Sequence, residues 1–594
     1  MTARARPRDG RRPSDEAAGS ELPAPGPPGR ASVRALPAGA RADAAGHALF
    51  ATATLLAAGY LLHLGRRTTF FYDEWTFIRT RRDWHPGTFL DPHNGHFSAV
   101  PVLAYHLLFA TAGLRAYLPY RLLLMAFHAG ACFALYRYGR RRLGPLPAVL
   151  PPALLLLNGP GYQDLLWPFQ IGFVGALGFG VAALLALDGP PGRRRDLAGC
   201  LCLLASVASS GVGVAMLAGA IVRVLLRRQW RRWWMVGLPA AVFVAWFADY
   251  DASLPGSSGT AAGKAGYLLH FFRAAVGALT GHAATRAVTL ATVLSWLVVA
   301  LVLARLAYEL RARRLPVDLL AAVTVALVLL GLTAATRAQD HDFGASRYAY
   351  TGGFTVLLVL IELLRGIDLR RWPARAGVGL LAVATAASVV TGLQPLRLGA
   401  HSLTGAARYL RADLAAVQLS DPPPSYQPNR RLIPFQDSGS YLAAVRALGS
   451  PALPVTELPR QAPDVRDDVD RVLRQAGELT VTGAIRQPGG PALPVILAPG
   501  LPESLAPQPG CLLLRPEAPA RRLTVRLSLP WGGLTLGSAA TIRLAVRRFG
   551  PTLVAFGRLP AGRGWLIRPR FDAAPARWTV QLGASAPVRA CAAG

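Results

Sequence analysis

FFYDEWTFIRTRRDWHPGTFLDPHNGHFSAVP, residues 70–101, is the stretch whose reading decides the fold. It follows the first long apolar run, 46–65, at the point where a membrane helix would surface. It carries the adjacent carboxylates Asp73 and Glu74, the histidines His85, His93 and His96, and the polar residues Asp83, Asp91 and Asn94. Phe70, Phe71, Tyr72, Trp75 and Trp84 are set among them. For roughly three hundred residues beyond it the chain is dominated by apolar runs of membrane-crossing character. The polar groups that chemistry requires are therefore concentrated beside the membrane, not inside it.

The totals agree with that placement. Of 594 residues, 52% are hydrophobic, and the mean hydropathy is +0.33, too apolar for an ordinary soluble protein. The net charge of +32 raises the question of nucleic acid. Most arginines fall in short clusters between apolar runs, which makes them topology signals. There is no zinc-finger spacing and no RNP-like aromatic motif, so nucleic acid is not an expected partner. Cys132, Cys200 and Cys202 lie in apolar runs and read as small hydrophobes. Cys511 and Cys591 lie in the polar C-terminal region. Outside the cytoplasm they would be placed to form a disulfide; the other reading is two unrelated thiols.

Taken in order, residues 1–45 read as a disordered basic cytoplasmic tail. No short apolar core of a signal peptide stands near the start, so 46–65 is expected to be a retained helix. The stretch 98–113, with polar flanks and Pro101 in its first turn, reads as a helix on the membrane surface. Further spans are expected near 117–138, 145–158, 168–187, 197–209, 212–227, 233–249, 284–308, 317–336, 347–364 and 376–394. That gives about eleven transmembrane helices in all. Arginine clusters fall in every second loop, while the loops 159–167, 210–211 and 337–346 hold only Arg337. The positive-inside rule then puts the N-terminus in the cytoplasm, and the Asp73 loop and the C-terminal region outside. Arg66, Arg67, Arg79, Arg81 and Arg82 in the first outer loop run against that rule. Residues 403–417 and 439–448 read as short helices. Between 521 and 585, RRLTVRLSLP, ATIRLAVRRF, TLVAFGRLP and RWTVQLGA alternate as strands of a small antiparallel sandwich. The expected fold is a membrane all-α polytopic bundle with a small C-terminal extracytoplasmic β-rich domain. Its divisions are the tail 1–45, the transmembrane part 46–395 with an outer loop at 66–116, and the extracytoplasmic part 396–594.

Adjacent carboxylates cannot face each other across a cleft. They point about 100° apart on a helix, or to opposite faces of a strand. One of Asp73 and Glu74 therefore suits a lone base, with the other holding it or a metal; the plainer reading is an acidic helix start. His93, Asn94 and His96 suit a sugar hydroxyl, a phosphate, a metal or a capping role. Divalent metal is the one cofactor left open, because His-x-x-His lacks the further ligands of a defined site. In NGPGYQDLLWPFQ, residues 158–170, Asp164, Trp167 and Gln170 stand where a helix enters the membrane; an aromatic belt accounts for Trp167 equally well. Arg347 lies at the outer start of a helix, where its guanidinium and the helix dipole both favour an anion; the plain alternative is a snorkelling side chain. The central parts of several spans carry no charge, unlike those of a proton-coupled transporter.

These pieces resemble the GT-C superfamily of polytopic glycosyltransferases, the architecture of protein mannosyltransferases and aminoarabinose transferases. The resemblance is carried by Tyr72, Asp73, Glu74 and Trp75 after the first span. HNGHFSAVPVLAYHLLFATAGL matches as the surface helix, and YRLLLMAFHAGACFALYRYGRRRLG as the second span. GYQDLLWPFQIGF and SRYAY, which contains Arg347 and Tyr348, add to it. It covers about 46–395; the loop 250–283 and the C-terminal tail fall outside it. It implies inverting transfer of a hexose or pentose from a polyprenyl-phosphate carrier to a lipid, glycan or protein acceptor, at the outer face of the cell membrane. On that reading Asp73 is the base and Glu74 orients the acceptor or shares a cation. Arg347 faces the leaving phosphate, and Tyr348 binds substrate with it. The alternative is a transporter or lipid flippase of cell-envelope precursors.

Overall fold

The computed structural model of the chain describes residues 38–250, 260–282, 288–337, 344–367, 371–434, 436–484, 505–508, 511–516, 522–570, 572 and 574–593. Most of the basic tail expected at 1–45, and part of the loop 337–346, lie outside these residues.

The first half is helical. Helix α1 (Ala38–Leu64) leads into the short α2 (Asp73–Thr80) and α3 (Pro86–Leu90), and then into α4 (Ala99–Thr111). After α5 (Leu118–Leu143) come α6 (Leu150–Leu156), α7 (Tyr162–Leu166), α8 (Ile171–Asp188), α9 (Arg193–Val207), α10 (Val212–Leu226) and α11 (Trp233–Asp249). The membrane part continues with α12 (Ala261–Ala278), α13 (Val288–Arg311), α14 (Val317–Arg337), α15 (Ser346–Leu363) and α16 (Trp372–Ser420).

Among the described residues, six helices are long and apolar enough to cross a membrane: α1, α5, α8 with its preceding turn, α13, α14 and α16. The other expected spans are helical, but shorter or less apolar. The segment near 145–158 is helical only over Pro147–Leu156, with Pro147, Pro151 and Pro152 at first-turn positions where proline is tolerated. The outward side chains of α13 and of the first half of α16 are strongly apolar, among them Val293, Trp296, Leu303, Leu380 and Val383. Apolar faces of that extent belong against lipid.

Two expectations are corrected. The loop 250–283 contains α12, whose Tyr267, Phe271, Ala274, Ala275 and Ala278 recur at helical spacing and are buried. Lys264, His270 and Arg273 on the same helix dilute its hydropathy and hide that stripe. Helix α12 lies so close to α15 that a Cβ at Gly352 would stand 2.7 Å from the Ala275 Cβ. Residues 403–417 are not a separate helix; they continue α16, which runs unbroken through Pro395 for 49 residues.

One end of the bundle is tied by a network of buried ions. Asp188 at the end of α8 pairs with Arg141 (3.2 Å), Arg142 (3.1 Å) and Arg223. Asp318 at the start of α14 pairs with Arg223 (2.9 Å), Arg227 (2.6 Å) and Arg365 (2.5 Å). Glu362 at the end of α15 pairs with Arg142 and accepts from the Tyr138 hydroxyl at 2.6 Å. The residues 70–101 lie at the other end, where α1 leaves the bundle.

Beyond α16, α17 (Ser438–Leu448) packs on the Asp73 segment, with the Trp75 and Tyr441 rings edge to face at 5.7 Å. Helix α18 (Pro463–Gln475) packs against α16 and carries the sheets. The strands are β1 (Leu479–Ala484), β2 (Leu505–Gln508), β3 (Cys511–Leu514), β4 (Leu523–Ser528), β5 (Leu534–Ser538), β6 (Ile542–Arg547), β7 (Val554–Leu559), β8 (Gly564–Pro569), β9 (Thr579–Ala584) and β10 (Val588–Ala592). They form a six-stranded sheet, β1-β8-β5-β10-β3-β2, and a four-stranded one, β4-β9-β6-β7. Leu523, Val525 and Leu527 point inward from β4 while Thr524 and Arg526 point out, the alternation that a two-sheet core requires. Cys511 on β3 and Cys591 on β10 form a disulfide. Asp470 on α18 accepts the backbone N–H groups of Arg548 (2.7 Å), Phe549 (2.8 Å) and Gly550 (2.9 Å), which anchors the sheets to the helical part.

Candidate active site

The two adjacent acids part company at the start of α2. Glu74 is wholly buried, whereas the Asp73 side chain keeps 15% exposure and lines a cavity. Glu74 accepts four hydrogen bonds. They come from the Tyr105 hydroxyl at 2.6 Å, the Tyr117 hydroxyl at 2.8 Å, the Trp167 indole at 3.1 Å and the Phe71 backbone N–H at 2.8 Å. It thereby ties α2 to α4, to the start of α5 and to the turn before α8. Burial pushes its carboxyl up to about 7, and the four donors pull against that shift.

The HNGH segment is a tight hairpin turn. His93 and His96 exchange backbone hydrogen bonds of 3.1 and 2.9 Å. Asn94 (φ 51°) and Gly95 (φ 76°) are both left-handed, the geometry for which Asn-Gly is the preferred pair. The turn presents Asn94 Nδ2 to Asp73 Oδ1 at 3.4 Å and His93 Nε2 to the same oxygen at 3.8 Å. The His93 ring is held edge-on by Phe77 and Phe169 at 5.0 and 5.2 Å. Asp73 Oδ2 has no hydrogen-bond partner among the described residues.

The buried guanidinium of Arg81 holds the rest of the loop. It donates to the carbonyls of Gly87 (2.9 Å), Thr88 (2.9 Å), Asp91 (3.1 Å) and Pro92 (3.3 Å). One of the loop arginines that runs against the positive-inside rule is thus a structural clamp, not a topology signal.

The cavity beside Asp73 measures about 700 Å³. Of the residues singled out in the sequence, it brings together Asp73, His93, Asn94, His96, Trp167, Gln170, Arg347 and Tyr348. Glu74 and Asp164 do not line it. Asp164 is fully buried on α7, with neither carboxylate oxygen hydrogen-bonded among the described residues. Burial pushes its carboxyl well up, and the nearby Arg347 charge pulls it down. His96 is held low, at about 4, by burial and then by the Arg337 charge, so its imidazole is neutral at pH 7. Among the described residues no three His, Cys, Asp or Glu side chains are grouped to hold a metal.

Several lining residues went unread in the sequence, chiefly Arg337, Ser209, Ser210, Phe169 and Phe173. Arg337 carried a usable signal, as the one arginine in loops otherwise stripped of them. A second cavity of about 260 Å³ adjoins the first and shares Asn94, His96, Phe173, Arg337 and Tyr348 with it. Its remaining walls are largely apolar, including Phe97, Val212, Phe243, Phe247, Leu329 and Leu332. A polar chamber lined by one acid and two arginines thus stands beside an apolar one between α10, α11 and α14.

No protein-family model matches the chain, and no curated protein does. Among solved structures it is similar to ArnT from Cupriavidus metallidurans bound to undecaprenyl phosphate. The identity is 16% over 68% of this chain and 85% of that one, with a TM-score of 0.40. It is similar to the same protein in the apo state, at 15% identity over 74% and 92% of the two chains and a TM-score of 0.41. It is also similar to arabinosyltransferase EmbB from Mycobacterium smegmatis, at 13% identity over 95% and 65% of the two chains, with a TM-score of 0.30.

Proposed function

We propose that the chain is an inverting glycosyltransferase that moves a sugar from a polyprenyl-phosphate carrier to an envelope acceptor, at the outer face of the cell membrane. One observation carries this reading. Asp73 shares a cavity with Arg337 and Arg347, and an apolar cavity of the kind a prenyl chain needs adjoins it across shared walls.

The chemistry follows from the donors and acceptors present. The acceptor hydroxyl approaches Asp73 Oδ2, since Asn94 and His93 both stand at Oδ1. As the hydroxyl oxygen bonds to the anomeric carbon, its proton passes to the carboxylate. A carboxylate is a weak base for an alcohol, so the transfer is effective only as the proton becomes acidic in the transition state. The bond from the anomeric carbon to the phosphate oxygen breaks, and its electron pair leaves with polyprenyl phosphate. Arg337 and Arg347 offset the charge that develops there. A single displacement inverts the anomeric centre. Glu74 takes no part in the transfer: it holds α2 so that Asp73 faces the chamber. The outward placement of this end rests on the arginine asymmetry of the loops.

The test is transfer by purified protein in lipid nanodiscs from a panel of polyprenyl-phosphate sugars, with the anomer of the product read by NMR. Asp73→Asn should abolish transfer and leave the melting curve unchanged. Wild-type rates in that variant would remove Asp73 as the base. Movement of the lipid across the bilayer with no new glycosidic bond would instead identify a flippase.

A further inference from the structure

The outer face of the four-stranded sheet carries a pattern that its folding does not require. Arg543 on β6 stands directly opposite Arg558 on β7, so both side chains leave the same face side by side. Like charges placed opposite each other across strands are destabilising. Arg526 on β4 and Arg547 on β6 lie on that face too, by the same register. No Asp or Glu occupies any register position of the face among the described residues. Between the arginines the floor is small or polar: Gly583, Ala545 and Ala555, with Gln581 accepting from Arg526 at 2.9 Å.

We infer that this face is a binding surface for an acidic polysaccharide. The four arginines supply forked donors for carboxylate or phosphate groups. Gln581, Thr524 and Thr579 supply hydrogen bonds for sugar hydroxyls. Arg526 and Arg558 are three strand spacings and two residues apart, about 16 Å, and Arg543 and Arg547 are about 13 Å apart along β6. That extent suits an oligosaccharide, not a single sugar. The register positions hold no Trp, Tyr or Lys of the kind that seats a surface in lipid headgroups. They also hold no aromatic ring on which a base would stack. The inference rests on the proposed outward placement of the sheets, and names acidic glycan as the class of polymer the protein engages near its acceptor.

The experiment uses the full chain in detergent, without sugar donor, so binding is read independently of transfer. The probes are an oligogalacturonate, a neutral malto-oligosaccharide of equal length, and vesicles containing phosphatidylglycerol. Oligogalacturonate should bind, and bind more weakly as salt rises. The double variant Arg543→Gln, Arg558→Gln should lose at least tenfold in affinity and melt no lower than the parent. Arg589→Gln, on β10 of the other sheet, should bind as the parent does, and so should Asp73→Asn. Equal binding of the neutral oligosaccharide, full binding by the double variant, or preference for the vesicles overturns the inference. A lowered melting temperature in the double variant would do the same, because the arginines would then be structural.

Discussion

Glu74→Gln separates the two acids most cleanly, because its effect depends on pH in a way that only a buried carboxyl produces. The carboxyl stands near 7 in the folded protein against an ordinary value of 4.5. A raised carboxyl contributes stability that is fully present below the unfolded value and is lost as pH rises through the folded one. The difference corresponds to about 3 kcal/mol between pH 4.5 and pH 8, as an upper bound. Glutamine can keep most of the hydrogen bonds. Its oxygen accepts from Phe71, Tyr117 and Trp167, and its amide donates to the Tyr105 oxygen once that hydroxyl rotates. Melting in detergent should therefore fall with rising pH in the wild type and stay nearly level in the variant, so that the two curves converge or cross between pH 4.5 and pH 8. Glu74→Ala is different in kind, because it strands four buried donors at about 1–3 kcal/mol each. It should melt far below both at every pH. Two results would refute the reasoning. One is identical pH dependence in wild type and Glu74→Gln. The other is loss of transfer in Glu74→Gln with an unchanged melting curve, which would make Glu74 the base.

Arg337→Gln should raise the apparent KM for a polyprenyl-phosphate sugar by about 10–100-fold, the equivalent of one charge-assisted hydrogen bond, as measured by initial rates at varied donor. Tyr117→Phe should cost about 1 kcal/mol and move the pH window of Glu74 upward, since it removes one donor that holds the carboxyl down, as read from melting across pH. Reduction of the disulfide between Cys511 and Cys591, 80 residues apart, should destabilise the sheets by about 2–4 kcal/mol, visible as loss of strand signal at lower denaturant.

The four alternating stretches between 521 and 585 are β4, β6, β7 and β9, and they make up the whole of one sheet. They were legible because each presents one face to a core and one to water. The strands of the partner sheet were not: β3 reads CLLL and β5 reads LTLGS, too short or too uniform to show a period of two. In the membrane part, apolar length located α1, α5, α8, α13 and α14. It failed for α12, where three cationic or imidazole side chains share the helix with the buried stripe. At the site, two carboxylates side by side could be said to diverge, yet which of them turns inward depends on Tyr105, Tyr117 and Trp167 arriving from three other elements. The Asn-Gly pair carried a local signal for a tight turn that went unused. Arg81 looked like a topology violation because a guanidinium spent on four carbonyls has the same letter as one facing phospholipid.

The buried ions at the far end of the bundle have a mechanical consequence. Arg142 and Arg223 are each shared between two acids, so the ends of α5, α8, α10, α14 and α15 are cinched into a single knot. A machine that passes cargo from one side of a membrane to the other must part its helices at each end in turn, and here that would strand several unpaired charges at once. A bundle fastened at that end is suited to work done at the opposite one, where Asp73 meets its cavity.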